Sequence, residues 1–258
     1  MTYASPKPGG TADTVAQSDK YGTREFARAQ EVASARLYPS IFASNYLVLS
    51  NRRVRMEKFF AARREIGDVL DVGGQYCPYY PLFREKCRSY SSLDIVDTPI
   101  VDIVCNAEDM PMDDRSFDLV LCTQVLEHCT NPHLIVNECH RVLREGGTLI
   151  VTAPSVYPVH GYPADNWRFM PDGMRHLLRE FSRVEVLGEL DFAESLASVI
   201  CHYGHVVTGR LGMAGRAVNP VWHFSTNVAG RALSLALRPL SKNNFDAFSM
   251  NLWAEATK

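Results

Sequence analysis

No stretch of about 18 consecutive apolar residues occurs in the 258-residue chain, so no segment reads as a membrane-spanning helix. No Cys-x-x-Cys pair occurs among Cys77, Cys87, Cys105, Cys122, Cys129, Cys139 and Cys201, which removes a zinc ribbon and a dithiol redox motif. Their odd number and their places inside apolar runs read as reduced, buried thiols of a reducing compartment. Neither charge is in excess: 27 Lys and Arg face 29 Asp and Glu, a net charge of -2. A general polyanion binder should be basic, so no nucleic-acid partner is expected. The opening residues, MTYASPKPGGTADT, lack the basic and apolar regions of a secretory signal, and the expected location is cytoplasmic. There is no internal repeat. What is present is ordinary for a globular protein: 46% hydrophobic and 22% charged residues, in a chain long enough to bury a core without staples.

Residues 1–22 are polar and broken by Pro6, Pro8, Gly9 and Gly10, and read as a flexible tail. A single domain is expected over 23–258. It opens with N-terminal helices over 23–66: one from Thr23 to Leu37, a second from Ile41 to Ile66. The rhythm then changes to short apolar runs, at 68–72, 89–95, 99–105, 117–123, 148–154 and 182–190. Between them lie helical segments. The clearest is 131–147, with Asn131 as cap, Pro132 in the first turn and Gly146-Gly147 at the end. Residues 171–181 form another helix begun by proline. Residues 247–257 alternate as a last strand, after a helical insertion over 191–245. Strands alternating with helices imply an α/β layered fold with a mainly parallel sheet.

In such a sheet, ligands bind past the carboxyl ends of the strands, where strand order reverses. After the first strand come Asp71, Gly73, Gly74 and Gln75. The glycines let backbone approach a ligand, and a helix opening there would offer free N–H groups. After the second comes Asp94, 23 residues beyond Asp71, an acid able to accept both hydrogen bonds of a ribose diol. Asn106, Ala107 and Glu108 follow the third strand. Gln124, Glu127 and His128 follow the fourth, and a long loop follows the fifth.

The ordered set Asp-Val-Gly-Gly, the acid at 94, AEDMPMDDRSFDLV, QVLEH and RVLREGGTL resembles the class I S-adenosylmethionine-dependent methyltransferases over residues 66–190. The stretch 153–174 resembles their small-molecule and saccharide-locus branch, in which P-x-H…P-x-D-x-W-R-F/Y-x-P-x-G follows the fifth strand. The resemblance implies a Rossmann-like, seven-stranded sheet with helices on both faces and the last strand antiparallel. It also implies S-adenosylmethionine as cofactor. Asp71 would orient the methionine ammonium, with Gly73 and Gly74 passing close to it. Asp94 would grip the ribose hydroxyls and Ile95 would pack on the adenine. Ala107 and Glu108 would bracket the adenine, and Gln124 would lie near the methionine moiety. Two positions depart from the family's pattern. Gln75 stands where a further glycine is common, and Asn106 stands where an Asp is usual.

Methyl transfer is substitution at carbon with a sulfonium leaving group, so the enzyme chiefly positions and deprotonates the acceptor. A hydroxyl of a sugar or secondary metabolite is the expected small-molecule acceptor. His160 is the first candidate base, Asp165 the group that orients it or binds an acceptor hydroxyl, and His128 the second base. Trp167 and Arg168 are candidate acceptor contacts. Each has a structural alternative: His128 as a cap, Glu108 as a surface acid, Trp167 as core filler and Arg168 as a salt-bridged brace. An amine acceptor would need less basic help, which makes N-methylation the alternative reaction. A non-catalytic partner protein retaining the fold is a further reading, supported by Gln75 and Asn106. A nicotinamide-dependent oxidoreductase would need G-x-G-x-x-G, where this chain has Gly-Gly-Gln-Tyr-Cys-Pro. His202, His205 and His223 have no metal spacing, and no metal is expected. The six basic residues of 51–65 suit a solvated face, an acidic acceptor such as a nucleotide-linked sugar, or a membrane surface. The apolar residues of the insertion suit a lid, an acceptor wall or the face of a homodimer.

Overall fold

The computed structural model describes residues 23–160, 164–238 and 248–258. The expected tail, 1–22, lies outside the described residues, as do 161–163 of the loop after the fifth strand and 239–245 of the insertion. The strands are β1 (Gly67–Val72), β2 (Cys87–Asp94), β3 (Ile103–Val104), β4 (Phe117–Thr123), β5 (Leu143–Pro154), β6 (Arg183–Gly188) and β7 (Asn251–Thr257). They form one sheet in the order β3-β2-β1-β4-β5-β7-β6. β1 to β5 run parallel, and β7 lies antiparallel between β5 and β6. This is the seven-stranded mixed sheet the resemblance implies.

The described helices are α1 (Thr23–Leu37), α2 (Tyr46–Ala61), α3 (Pro132–Val142), α4 (Pro171–Leu177), α5 (Phe192–Gly209) and α6 (Gly212–Leu237). The central strands are apolar at consecutive positions because both sheet faces are covered. Odd residues Val69, Leu119 and Leu121 pack with Leu37, Met56, Phe59 and Phe60 under α1 and α2. Even residues Leu70, Val72, Val120 and Cys122 pack with Ile135, Cys139, Met174 and Leu177 under α3 and α4. Over its described residues the insertion is helical, as expected, and forms α5 and α6. All seven cysteines carry free thiols.

Several boundaries differ from the sequence reading, each for a local reason. The second helix starts at Tyr46, not Ile41, because Asn227 donates to the Ile41 and Ala43 carbonyls and holds 41–45 in turns. It ends at Ala61, where Lys86 Nζ reaches the Phe60 and Arg63 carbonyls. The third strand shrinks to two residues. The Asp102 carboxylate accepts from Ser92 N–H and Oγ–H, and the Ile100 carbonyl also takes the Ser92 hydroxyl, which curls the chain before Ile103. The helix begun at Asn131 stops at Val142, and Leu143 turns extended to pair with Phe117. Gly146, at φ +77°, then resets the register so that Leu119 faces Thr148.

The amino ends of the central strands carry a charge network. Asp68 accepts from Arg88 Nε at 2.9 Å, and Arg144 Nη1 lies 2.9 Å from Asp68 and 2.6 Å from Asp118. Asp118 also accepts the Asp68 N–H at 2.8 Å. Gly67 is at φ +80°, and a Cβ there would come within 2.1 Å of Asp118 Oδ2, so no side chain fits.

A second ion pair is buried. Arg52 of α2 meets Glu189, just past β6, through Nε and Nη2, both at 2.9 Å, and Asn251 Nδ2 donates to the same carboxylate at 2.9 Å. The two side chains are 4% and 0% exposed, so neither charge has water to fall back on. Removing one partner of such a pair leaves the other uncompensated. Glu189→Ala is expected to cost about 3–5 kcal/mol in urea unfolding, whereas Glu57→Ala, which loses only a partly exposed contact to Arg53, should cost under about 1 kcal/mol.

Candidate active site

β1 and β4 are neighbours in space, yet the chain visits β2 and β3 between them, so strand order reverses at the β1/β4 edge. A cavity of about 540 Å³ opens past the carboxyl ends of these strands. From the β3 side inward it is lined by Asn106 and Ala107, then Asp94 and Ile95 at the end of β2, then Asp71 and Gly73 at the end of β1. It continues past Gln124 and His128 after β4 and reaches Tyr157 and His160 after β5. Its remaining wall comes from the N-terminal helices through Arg36, Val48 and Arg52. These helices therefore both cover the sheet and enclose the cavity.

Asp71 is 2% exposed and accepts a hydrogen bond from the Tyr90 hydroxyl at 2.8 Å. Burial pushes its carboxyl up to about 7, against the pull of that hydroxyl, and the neighbouring Asp94 adds to the rise. Asp94 is also raised by burial, while backbone N–H groups of Val96, Gln75 and Ile95 hold it down. Val96 N–H donates to Asp94 Oδ1 at 2.8 Å. Gln75 therefore fits the turn without a left-handed backbone, and its own amide serves the acid after β2. Gly73 is at φ +74°, and a Cβ there would strike Val125 at 2.2 Å. The N–H groups of Gly73 and Gly74 both donate to the Leu93 carbonyl, at 2.8 and 3.0 Å. No helix opens directly after them. Pro78 and Pro81 leave only the 3₁₀ turn Tyr80–Leu82, so the free helix-start amides expected there are absent. Gln124 leaves β4 at φ +58°, and Thr152 fixes it through the Gln124 N–H at 2.8 Å.

At the other end, His128 Nδ1 lies 2.7 Å from the Ala164 carbonyl, and its Nε2 is 3.8 Å from Glu127 Oε1. The His128 and His160 rings are 5.7 Å apart. The His160 N–H donates to Asp165 at 2.7 Å, and its Nδ1 is 3.5 Å from the same carboxylate. Burial lowers the His160 pKa, so the ring is neutral near pH 7. Arg168 holds Asp165 well below the usual carboxylate range through two Nη contacts, the longer at 2.7 Å.

The sequence-nominated residues thus divide. Asp71, Gly73, Asp94, Ile95, Ala107, Gln124, His128 and His160 share the cavity wall. Gly74 is packed behind it, where a Cβ would meet the Asp71 carbonyl at 2.9 Å. Glu108 accepts the Asn131 N–H at 3.1 Å and does not line the cavity. Trp167 Nε1 donates to the Cys129 carbonyl at 3.0 Å, and Arg168 donates to the Tyr157 and Pro158 carbonyls besides Asp165. Both brace the loop, and neither lines the cavity. Asp165 stands behind His160, outside the lining. Sequence reasoning missed Arg36, Arg52, Tyr157 and the buried Glu127. Arg52 was one of six basic residues on one segment, and the acid that singles it out is 137 residues away.

A family model described as a methyltransferase domain matches residues 70–151. A probable S-adenosylmethionine-dependent methyltransferase of Mycobacterium tuberculosis is 40% identical over 130 residues, 46% of this chain and 47% of that protein. A ubiquinone/menaquinone biosynthesis C-methyltransferase of Xanthomonas campestris is 27% identical over 128 residues, 42% of this chain and 48% of that protein. The chain thus spans about half the length of these curated relatives. In overall fold, a methyltransferase from Archaeoglobus fulgidus superposes at a TM-score of 0.50 with 14% identity, covering 82% of this chain and 94% of that one. The [4+2]-cyclase SpnF superposes at 0.50 with 17% identity, covering 79% and 80%. Residues 70–151 thus match a methyltransferase domain, set in a seven-stranded Rossmann-like sheet of the kind found in S-adenosylmethionine-dependent methyltransferases.

Two buried carboxyls with raised pKa values give the ligand-free protein a signed pH response. Asp71, lifted from 3.8 to about 7, and Glu127, lifted from 4.5 to about 7, bind protons more tightly folded than unfolded. Their contribution is present at low pH and is lost as pH rises from about 4 to about 7. Thermal unfolding of the ligand-free protein should therefore show a falling midpoint over that window, and Asp71→Asn should flatten part of the fall.

Proposed function

We propose that the chain transfers a methyl group from S-adenosylmethionine to a hydroxyl of a small molecule, a sugar or a secondary metabolite. One observation carries this reading: the order of chemistry along a single cavity. Carboxyls lie at the ends of β1 and β2, and imidazoles lie past β4 and β5. Three strand spacings separate β2 from β5, roughly 14 Å, a span that suits an extended adenosylmethionine with an acceptor at its methyl end. Asp94 accepts from the ribose hydroxyls, Ile95 packs on the adenine beside Ala107, and Asp71 faces the ammonium. Gln124 and the Gly73 turn border the methionine portion. Glu108, Trp167 and Arg168 act outside the cavity, as cap and loop braces.

The sulfonium leaves without help, so the protein's work is alignment and removal of the acceptor proton. The C–S bond breaks as the acceptor oxygen bonds to the methyl carbon, and the proton goes to a base. His160, oriented by Asp165, is the first group placed for it, and His128 is the second. The cavity end holding two imidazoles favours a hydroxyl acceptor over an amine, which would need less basic help. The absence of G-x-G-x-x-G after β1 weighs against nicotinamide binding.

Calorimetric titration should show S-adenosylhomocysteine binding and no NADH binding, and Asp94→Ala should weaken the former at least tenfold. Binding of NADH alone would refute methyl transfer, and an unchanged affinity in the variant would remove Asp94 from the ribose. With labelled donor and a panel of nucleotide sugars, glycosides and amines read by mass spectrometry, a methylated hydroxyl is the expected product. On that acceptor His160→Ala should lower turnover by roughly 10²–10⁴-fold while donor affinity stays within about twofold.

A further inference from the structure

Glu127, fourth in the Gln-Val-Leu-Glu-His segment, has no exposed side-chain surface, and neither carboxylate oxygen has a hydrogen-bond partner. A carboxylate removed from water and left bare is costly. Its neighbours do not supply a donor. His128 Nδ1 faces the Ala164 carbonyl, which can only accept, so Nδ1 carries the hydrogen of the neutral ring. Its Nε2, 3.8 Å from Glu127 Oε1, then presents a lone pair to an oxygen. His160 Nδ1 likewise faces two acceptors, the Pro158 carbonyl at 3.3 Å and Asp165 at 3.5 Å, which leaves its Nε2 with a lone pair. One oxygen of Glu127 and one nitrogen of each histidine lie within 4.8 Å of one another. With each ring turned by its Nε2 and all three groups deprotonated, as metal ligands are, three lone-pair donors converge with no hydrogen between them. Repulsion of this kind is relieved by a cation.

We infer that Glu127, His128 and His160 form a binding site for a divalent first-row transition metal at the β4/β5 end of the cavity. Two imidazoles and a carboxylate suit zinc, manganese, iron or cobalt better than calcium or magnesium, which favour all-oxygen shells. Each histidine already has the outer support that fixes ligand tautomer and orientation: the Ala164 carbonyl for His128, Asp165 for His160. Asp165 is in turn clamped by Arg168. Both histidines line the cavity, so a metal held there would be reachable by a ligand in it. The metal's role, unlike the site, rests on the methyl-transfer reading. An acceptor hydroxyl ligated there would be acidified by the cation, and its proton would pass to solvent. In that case His160 holds the metal and does not itself take the proton. This differs from the metal-free site that sequence spacing suggested.

The test uses untagged protein stripped with EDTA and titrated with Co²⁺, followed by visible absorption and calorimetry. The expected result is a d–d band saturating at one equivalent. In His160→Ala, whose fold is checked by circular dichroism, affinity should fall by more than about 100-fold, and Glu127→Gln should weaken it similarly. His160 stands on a half-exposed loop, so that variant remains informative if Glu127→Gln does not fold. No uptake of Co²⁺ by the wild type, or uptake by His160→Ala equal to wild type, overturns the site. S-adenosylhomocysteine binding by the stripped protein tests the methyl-transfer reading separately. Its presence without Co²⁺ uptake sinks the metal site alone, and Co²⁺ uptake without it supports the site while removing its assigned role.

Discussion

Arg52 and Glu189 face each other with almost no water, and the arrangement of the site depends on their meeting. Arg52 comes from the second helix, Glu189 from the exit of β6, and Asn251, which donates to the same carboxylate, from the start of β7. One contact thus pins an N-terminal helix to the antiparallel edge of the sheet. A buried pair of this kind adds little over a well-packed apolar substitute, but it is severe when broken. Its value here is positional. It places α2 so that Val48 and Arg52 wall the cavity that the strand ends leave open. Glu189 also takes up the charge of Arg52, so that guanidinium adds no uncompensated charge to the wall.

The parallel register distributes the chemistry. Asp71 and Asp94 emerge from neighbouring strands on one side of the reversal point, and Gln124 and His128 on the other. A ligand lying across these strand ends meets carboxyls first and imidazoles last. The loop after β5 completes the second half. Asn166 and Trp167 N–H groups donate to the Glu127 carbonyl, while Trp167 Nε1 donates to Cys129. The side chains that look most like recognition residues in this loop therefore serve to hold His160 against His128.

What the sequence made legible was whatever repeats with a short period or ends an apolar run. Thr23–Leu37 and Phe117–Thr123 match their readings residue for residue because amphipathic spacing and an unbroken buried strand are local properties. The third strand failed because Ser92 and Asp102, both polar and ten residues apart, decide where it starts. The acids at the ends of β1 and β2 were picked out by their places at strand ends, and the resemblance implied their roles. Glu127 was visible as a letter in a motif, but its isolation from every donor is a property of the assembled loop. Trp167 and Arg168 were assigned by loop position, and only the directions of their hydrogen bonds show that they face the chain.

The far end of the sheet has a thermal consequence. Asp68, Arg88, Asp118 and Arg144 form a closed set of four charges across the amino ends of β1, β2, β4 and β5. Hydration of charged groups becomes less favourable on warming, so the competition that weakens such sets at room temperature fades as apolar burial stops gaining. On heating, these strand starts are held relatively better than the apolar contacts of the α5–α6 pair. Melting should therefore begin in the helical insertion and reach the base of the central strands last.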